Sequence, residues 1–87
     1  MNLEEWTNFR GNMRYLRIKK GITGTQMAEC LGRTAGFVSC VESGAYTRWP
    51  KPQDMLTIAK CLGTSVKEMI KPIPAGTVLY VSPEEQD

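Results

Sequence analysis

Few residues in this chain carry reactive chemistry, and their types narrow what it can do. Cysteines stand at Cys30, Cys40 and Cys61, and there is no histidine. No two cysteines have the close spacing of a zinc site. No carboxylates are clustered for acid–base catalysis, no glycine-rich loop is set to cradle a phosphate, and no nucleophile has a base beside it. An enzyme is therefore not expected, nor a cofactor or a metal. The odd cysteine count, without a leader pattern, argues against a disulfide scaffold. The three thiols fall on three different predicted helices and are expected to be buried or half-buried. Cys40, on a helix that could be exposed, is the one candidate for redox chemistry. What remains is charge. Residues 1–71 hold all 11 Lys and Arg against Glu4, Glu5, Glu29, Glu42, Asp54 and Glu68, a net +5, while residues 72–87 hold Glu84, Glu85 and Asp87 and no cation, a net −3. A basic body with an acidic end suits a polyanion held on one face. The free N–H groups where a helix opens, at Thr23, Gly24 and Thr25, attract an anion as well.

These groups need elements to position them, and 87 residues make one small domain with a small core and modest stability. A hydrophobic fraction of 41% fits a globular chain. No apolar run approaches the ~18 residues of a membrane span, and MNLEEWTNFR lacks the basic-then-apolar order of a signal peptide. No membrane association and a cytoplasmic location are expected. Residues 3–20 read as helix 1, capped by Asn2 with Glu5 as its capping-box partner. Trp6, Phe9, Met13 and Leu16 form its apolar face. Gly11 weakens it by ~1 kcal/mol relative to Ala, which predicts a bend or a close packing there. Arg10, Arg14, Arg17, Lys19 and Lys20 crowd its later turns, where cations suit the macrodipole, and Gly21 ends it. Helix 2 is expected from about Gly24 to Leu31 and helix 3 from about Ala35 to Val41 or Ser43, capped by Thr23 and Thr34. Met27 and Leu31 on one, and Val38 and Val41 on the other, are their apolar faces. Ala28 admits a close neighbour, and Gly32 supplies the positive φ of a helix end. The loop from Gly44 to Pro52 is stiffened by Pro50 and Pro52. Helix 4 starts near Gln53 with Met55, Ile58, Ala59 and Leu62 as its stripe, and Gly63 stops it. Ser65 caps helix 5, with Glu68 completing a second box. Thr77 to Val81 is β-prone between Gly76 and Pro83. Such an unpartnered strand pairs with its copy in a twofold dimer, packs on the helices, or remains loose as a frayed terminus.

Ala28, Gly32, Val38 and Val41 fall at the offsets of two short helices crossing at a glycine, the helix-turn-helix pattern. The stretch TGTQMAECLGRTAGFVSCVESG, residues 23–44, resembles the Cro/phage-repressor (XRE-type) family of DNA-binding domains. Other blocks are similar to that family too: Leu16-Arg17 with Lys20-Gly21-Ile22-Thr23, Glu42-Ser43-Gly44, Ile58-Ala59-Lys60-Cys61-Leu62-Gly63-Thr64-Ser65, and Val66-Lys67-Glu68-Met69-Ile70. The match runs over roughly residues 9–70. The resemblance implies an all-α, five-helix, lambda-repressor-like domain over residues 1–71, followed by a β-prone tail over 72–87. It implies a sequence-specific regulator of transcription, a repressor of phage or bacterial type, that binds double-stranded DNA as a homodimer. The alternative is a protein-interaction module or antitoxin-like regulator that keeps the fold and takes a protein partner.

By that resemblance helix 3 enters the major groove and meets base edges with Thr34, Ala35, Gly36, Phe37, Ser39 and Cys40. The set departs from the usual in having no Arg, Asn or Gln, the side chains that read purines bidentately. Ala35 and Phe37 could meet a thymine methyl, Ser39 either a donor or an acceptor edge, and Gly36 only through its backbone. Phe37 reads equally well as ordinary core. Phosphates would meet Thr23, Gly24 and Thr25; since the family's first-position Gln is Gly24 here, Thr25 or Gln26 would substitute. Arg33 stands where the family places an aliphatic residue, its stem on the core and its guanidinium free to reach the backbone of DNA. Tyr46, Arg48 and Lys51 on the long loop would follow phosphates on the other flank, positioning the protein without reading sequence, while Trp49 anchors the loop. Arg17 and Glu42 are expected to pair structurally, tying helix 3 to helix 1.

Overall fold

Five helices and no strand are found among residues 2–45 and 50–73, the parts of the chain that the computed structural model describes. They are α1 (Leu3–Lys19), α2 (Gly24–Leu31), α3 (Ala35–Ser43), α4 (Pro52–Cys61) and α5 (Val66–Met69). The fold is all-α. The β-prone segment from Thr77 to Val81, with the rest of the tail beyond Ile73, lies outside the described residues.

Each start is set locally, by what meets the free N–H groups of a first turn. The Asn2 carboxamide oxygen accepts from Glu5 N–H at 2.8 Å, and Asn2 N–H donates to the Glu5 carboxylate at 3.1 Å. A second reciprocal box, not foreseen, joins Thr23 and Gln26 at 2.9 and 3.1 Å. The Thr34 hydroxyl accepts from Phe37 N–H at 3.1 Å, and Pro52 fills the first position of α4, where a missing N–H does no harm. At Ser65 only half of the expected box forms: its hydroxyl accepts from Glu68 N–H, while the Glu68 carboxylate turns to the Lys71 ammonium at 2.9 Å. A nearby cation outcompetes a neutral backbone N–H for a carboxylate.

The core gathers one stripe from every helix: Trp6, Phe9 and Met13; Met27 and Ala28; Val38 and Val41; Met55, Ile58 and Ala59; and Met69, with Leu62 just past α4. Leu16, expected to finish the α1 face, is only partly buried, and the buried place next to it belongs to Arg17. α3 packs on both α1 and α2, α2 on α4, and α5 on both α1 and α4.

With 4 residues, α5 is too short to be stable by itself, and two amides of α1 hold it. Asn8 Nδ2 donates to Ile70 O at 3.1 Å, and Asn12 Nδ2 donates to Met69 O at 2.8 Å and to Lys71 O at 3.0 Å. Between them α1 continues uninterrupted through Gly11. A Cβ there would lie 3.0 Å from Ile73 Cδ1, so of the two outcomes expected at this glycine the structure shows the close packing.

One expectation is overturned. Cys30 and Cys61 are joined in a disulfide, with their Cα atoms 6.2 Å apart, and only Cys40 is free. Each bonded cysteine lies two residues beyond a buried alanine, Ala28 or Ala59. Small side chains let α2 and α4 approach closely, which brings the Cα atoms within the 4.4–6.8 Å span a disulfide needs. An odd count left no way to see this, because the pairing depends on a tertiary contact. A link across a sequence separation of 31 residues restrains the unfolded chain by about 3–4 kcal/mol on the loop-entropy account.

The α1–α5 tie gives a first test. Asn12→Ala removes two hydrogen bonds worth about 1 kcal/mol each and improves local helix propensity by several tenths. Thermal unfolding should show a net loss of about 1 kcal/mol, near 4–8 °C in Tm for a domain of this size. A variant that melts higher than the parent would mean that propensity outweighs the tie.

Candidate nucleic-acid interface

α2 and α3 form the helix–glycine–helix unit that the spacing predicts. Gly32 ends α2 at φ +67°, its N–H donating to Glu29 O at 3.2 Å, and Arg33 N–H donates to Ala28 O at 2.9 Å. This closed turn delivers the chain to Thr34, whose hydroxyl caps α3.

The α3 register is fixed from beneath. Arg17 Nε and Nη2 donate to the two carboxylate oxygens of Glu42 at 2.8 and 3.0 Å, and Nη1 donates to Ile22 O at 2.9 Å. The two side chains are only 8% and 5% exposed. One guanidinium thus joins α1, the turn before α2, and α3. A second α1 cation reaches the far end of α3. Arg10 lies 5.7 Å over the Trp6 ring and its guanidinium sits against Gly44, where a Cβ would run into Nη1. Gly44 also has φ +80°, and that conformation calls for glycine; the Arg10 guanidinium is the end of a flexible side chain and could give way to a Cβ. A cation suits the carbonyl end of a helix.

Val38 and Val41 face inward, and the opposite stripe of α3 carries Ala35, Gly36, Ser39, Cys40 and Ser43, all exposed. Every one is small and uncharged. Four of the six expected base-edge residues therefore share one open face, with Thr34 exposed at its head. Phe37 is different. It is half-buried against the core, and the Arg33 guanidinium lies 4.4 Å over its ring. Its place is that of a core-edge residue, the second of its two readings.

The phosphate set is also redistributed. Arg33 Nη2 donates to Asp54 Oδ2 at 2.8 Å, with side chains 42% and 26% exposed. The guanidinium thus folds back on Phe37 and on the first turn of α4, whereas the resemblance implies that it reaches for the DNA backbone. In sequence Asp54 counts only toward the net charge; its place two residues past Pro52, where an acid suits a helix start, gives no sign of Arg33 as its partner. The oxygens of Thr23 and Gln26 serve each other in the capping box, which leaves the N–H groups of Gly24 and Thr25 directed out of the helix end. Lys51 is exposed at the start of α4, where no side chain caps the helix. Tyr46, Arg48 and Trp49 lie outside the described residues. Among the described residues no group of His, Cys, Asp and Glu could hold a metal ion, and no helix is long and apolar enough to cross a membrane.

No protein-family model, curated protein or solved structure matches the chain.

The buried pair generates a second prediction. Arg17→Ala or Glu42→Ala leaves one charge uncompensated in the core and should cost ~3–5 kcal/mol. The double variant should lose less than the sum of the two, because the pair acts as a unit. Urea unfolding of all four proteins measures this, with Glu42→Gln as a milder variant should the alanine forms not fold. Additive losses would mean that the two side chains act separately.

Proposed function

We infer that this protein is a sequence-specific DNA-binding regulator of transcription, with a lambda-repressor-like fold, whose α3 enters the major groove. The observation that carries the reading is the open stripe of Ala35, Gly36, Ser39 and Cys40 on a helix that is capped at its start, anchored from below by Arg17 and Glu42, and preceded by a tight glycine turn. The resemblance of residues 23–44 to the Cro/phage-repressor family supports it, as does the basic charge of residues 1–71. With no long side chain on that stripe, the α3 backbone can approach the bases closely. Ser39 then offers a hydroxyl to either edge, and Ala35 a methyl to thymine. Around this face the backbone N–H groups of Gly24 and Thr25 and the Lys51 ammonium supply phosphate contacts.

Arg33 joins them only by exchanging Asp54 for a phosphate. The exchange is inexpensive, because a pair this exposed is worth well under ~1 kcal/mol. One short helix covers few base pairs, so the working unit is a homodimer. In the family that residues 23–44 resemble, dimers place two such helices about 34 Å apart, one turn of B-DNA. A second reading, a protein-binding module of antitoxin type, is favoured by one observation, the absence of Arg, Asn and Gln from the α3 face.

Gel shifts on random duplex DNA at a series of salt concentrations separate the two. DNA binding predicts that log affinity falls with log salt by about 0.9 for each phosphate neutralised. Lys51→Ala should reduce that slope by about one while weakening all sequences alike, and Ser39→Ala should change which base pairs a selection recovers. A flat salt response removes the DNA reading and leaves the protein-binding one.

A further inference from the structure

We propose that Cys30 and Cys61 form a reversible redox site, open to small thiols of the glutathione class, that locks and unlocks the turn ahead of α3. Access is the first ground. Cys30 is exposed while Cys61 is half-buried against the core, so an incoming thiolate meets the Cys30 sulfur. The Cys30–Cys61 bond breaks, and Cys61 leaves as a thiolate. A second small thiolate then attacks the small-molecule sulfur of the mixed disulfide and releases the Cys30 thiolate. The two small thiols are oxidised to their disulfide, and their protons pass to Cys30 and Cys61; the glutathione disulfide runs the sequence in reverse.

The second ground is that the bond is not the only contact between α2 and α4. Met27 and Ala28 on α2, and Ile58 and Ala59 on α4, are buried beside it, so the helices stay packed when it opens. What changes is local. Cys30 lies in the last turn of α2, and the link closes a loop of sequence separation 31 that contains the Gly32 turn and all of α3. Oxidation therefore restrains the hydrogen bonds of the turn, Gly32 N–H to Glu29 O and Arg33 N–H to Ala28 O, and reduction frees them to open. In a reducing compartment the dithiol form would prevail, and in an oxidising one the disulfide. The site stands independently of what α3 binds.

The test uses the full chain carrying Cys40→Ser, which removes the third thiol. The folded protein is equilibrated in buffers of graded reduced-to-oxidised glutathione ratio, alkylated and weighed. Amide hydrogen exchange is followed in the fully oxidised and fully reduced forms. The expected result is interconversion without denaturant between species carrying no label and two labels. On reduction, exchange at Gly32 and Arg33 should become at least about tenfold faster by local opening, while the buried α1 amides change only by the loss of global stability, which thermal melts of the two forms measure separately. The Cys30→Ser/Cys61→Ser variant should fold and show the faster rate in every buffer. Resistance to glutathione until the protein is unfolded would overturn the proposal. So would failure of the pair to form in oxidised glutathione, equal exchange in the two states, or a double serine variant that does not fold.

Discussion

The structure depends on one buried guanidinium. Arg17 occupies a place on α1 that the helical period would otherwise give to an apolar side chain, and it is 6% exposed. Burying an ion pair carries a desolvation penalty that its mutual attraction does not always exceed, and apolar residues of like volume can do as well for stability. What an apolar replacement could not supply is direction. The planar fork accepts one arrangement of the Glu42 carboxylate, and Nη1 donates to Ile22 O. Val38 and Val41 alone could pack against α1 in more than one rotation of α3. The bidentate pair selects one, and that choice decides which residues α3 shows to solvent.

The remaining elements are short, and short helices are marginal without help. That explains which parts of the fold were legible in the sequence. Asn2 with Glu5, Thr34 before Phe37, and Gly32 after Leu31 are interactions over a few residues, so element order and boundaries could be read to within a residue or two. The Arg17–Glu42 contact had to be brought in by resemblance, since nothing in the spacing of residues 25 apart reveals it. Asn8 and Asn12 were passed over, although two asparagines one turn apart inside a helix are poor helix formers and so hint at a tertiary use. Cys30 with Cys61 and Arg33 with Asp54 left no local trace, because both depend on how closely α4 approaches α2 and the turn.

The candidate interface divides along the same line. Which residues of α3 face outward follows from a period of 3.6 and two inward valines, and it was readable. The partners of each side chain were not. The resemblance implies an Arg33 that reaches for the DNA backbone, yet Phe37 and Asp54 occupy its guanidinium, and the aromatic ring expected among the base-edge residues supports that cation instead. Asp54 also places a negative charge at the start of α4, beside Lys51. An anion approaching this corner must therefore displace a carboxylate before it gains an arginine. On the proposed reading, such an exchange would favour a strong polyanion over a single weak acid, since a polyanion could also meet Lys51.

Restraint is concentrated around a surface that is itself chemically plain. α3 is pinned near its end by Glu42, capped at its start by Thr34, and enclosed by a covalent link that begins four residues before that cap, at Cys30. The stripe held so firmly contains an alanine, a glycine, a serine and a thiol, none of which makes the bidentate contacts that read purines directly. A rigid face with few donors discriminates through fit. On the DNA reading proposed above, it would reach its contacts best where a groove has the right width or deforms readily to it, so that shape and deformability would add to what Ser39 and Ala35 read directly. Rigidity and plainness then belong together: a flexible α3 with these residues would adapt to any groove and lose what selectivity its form provides.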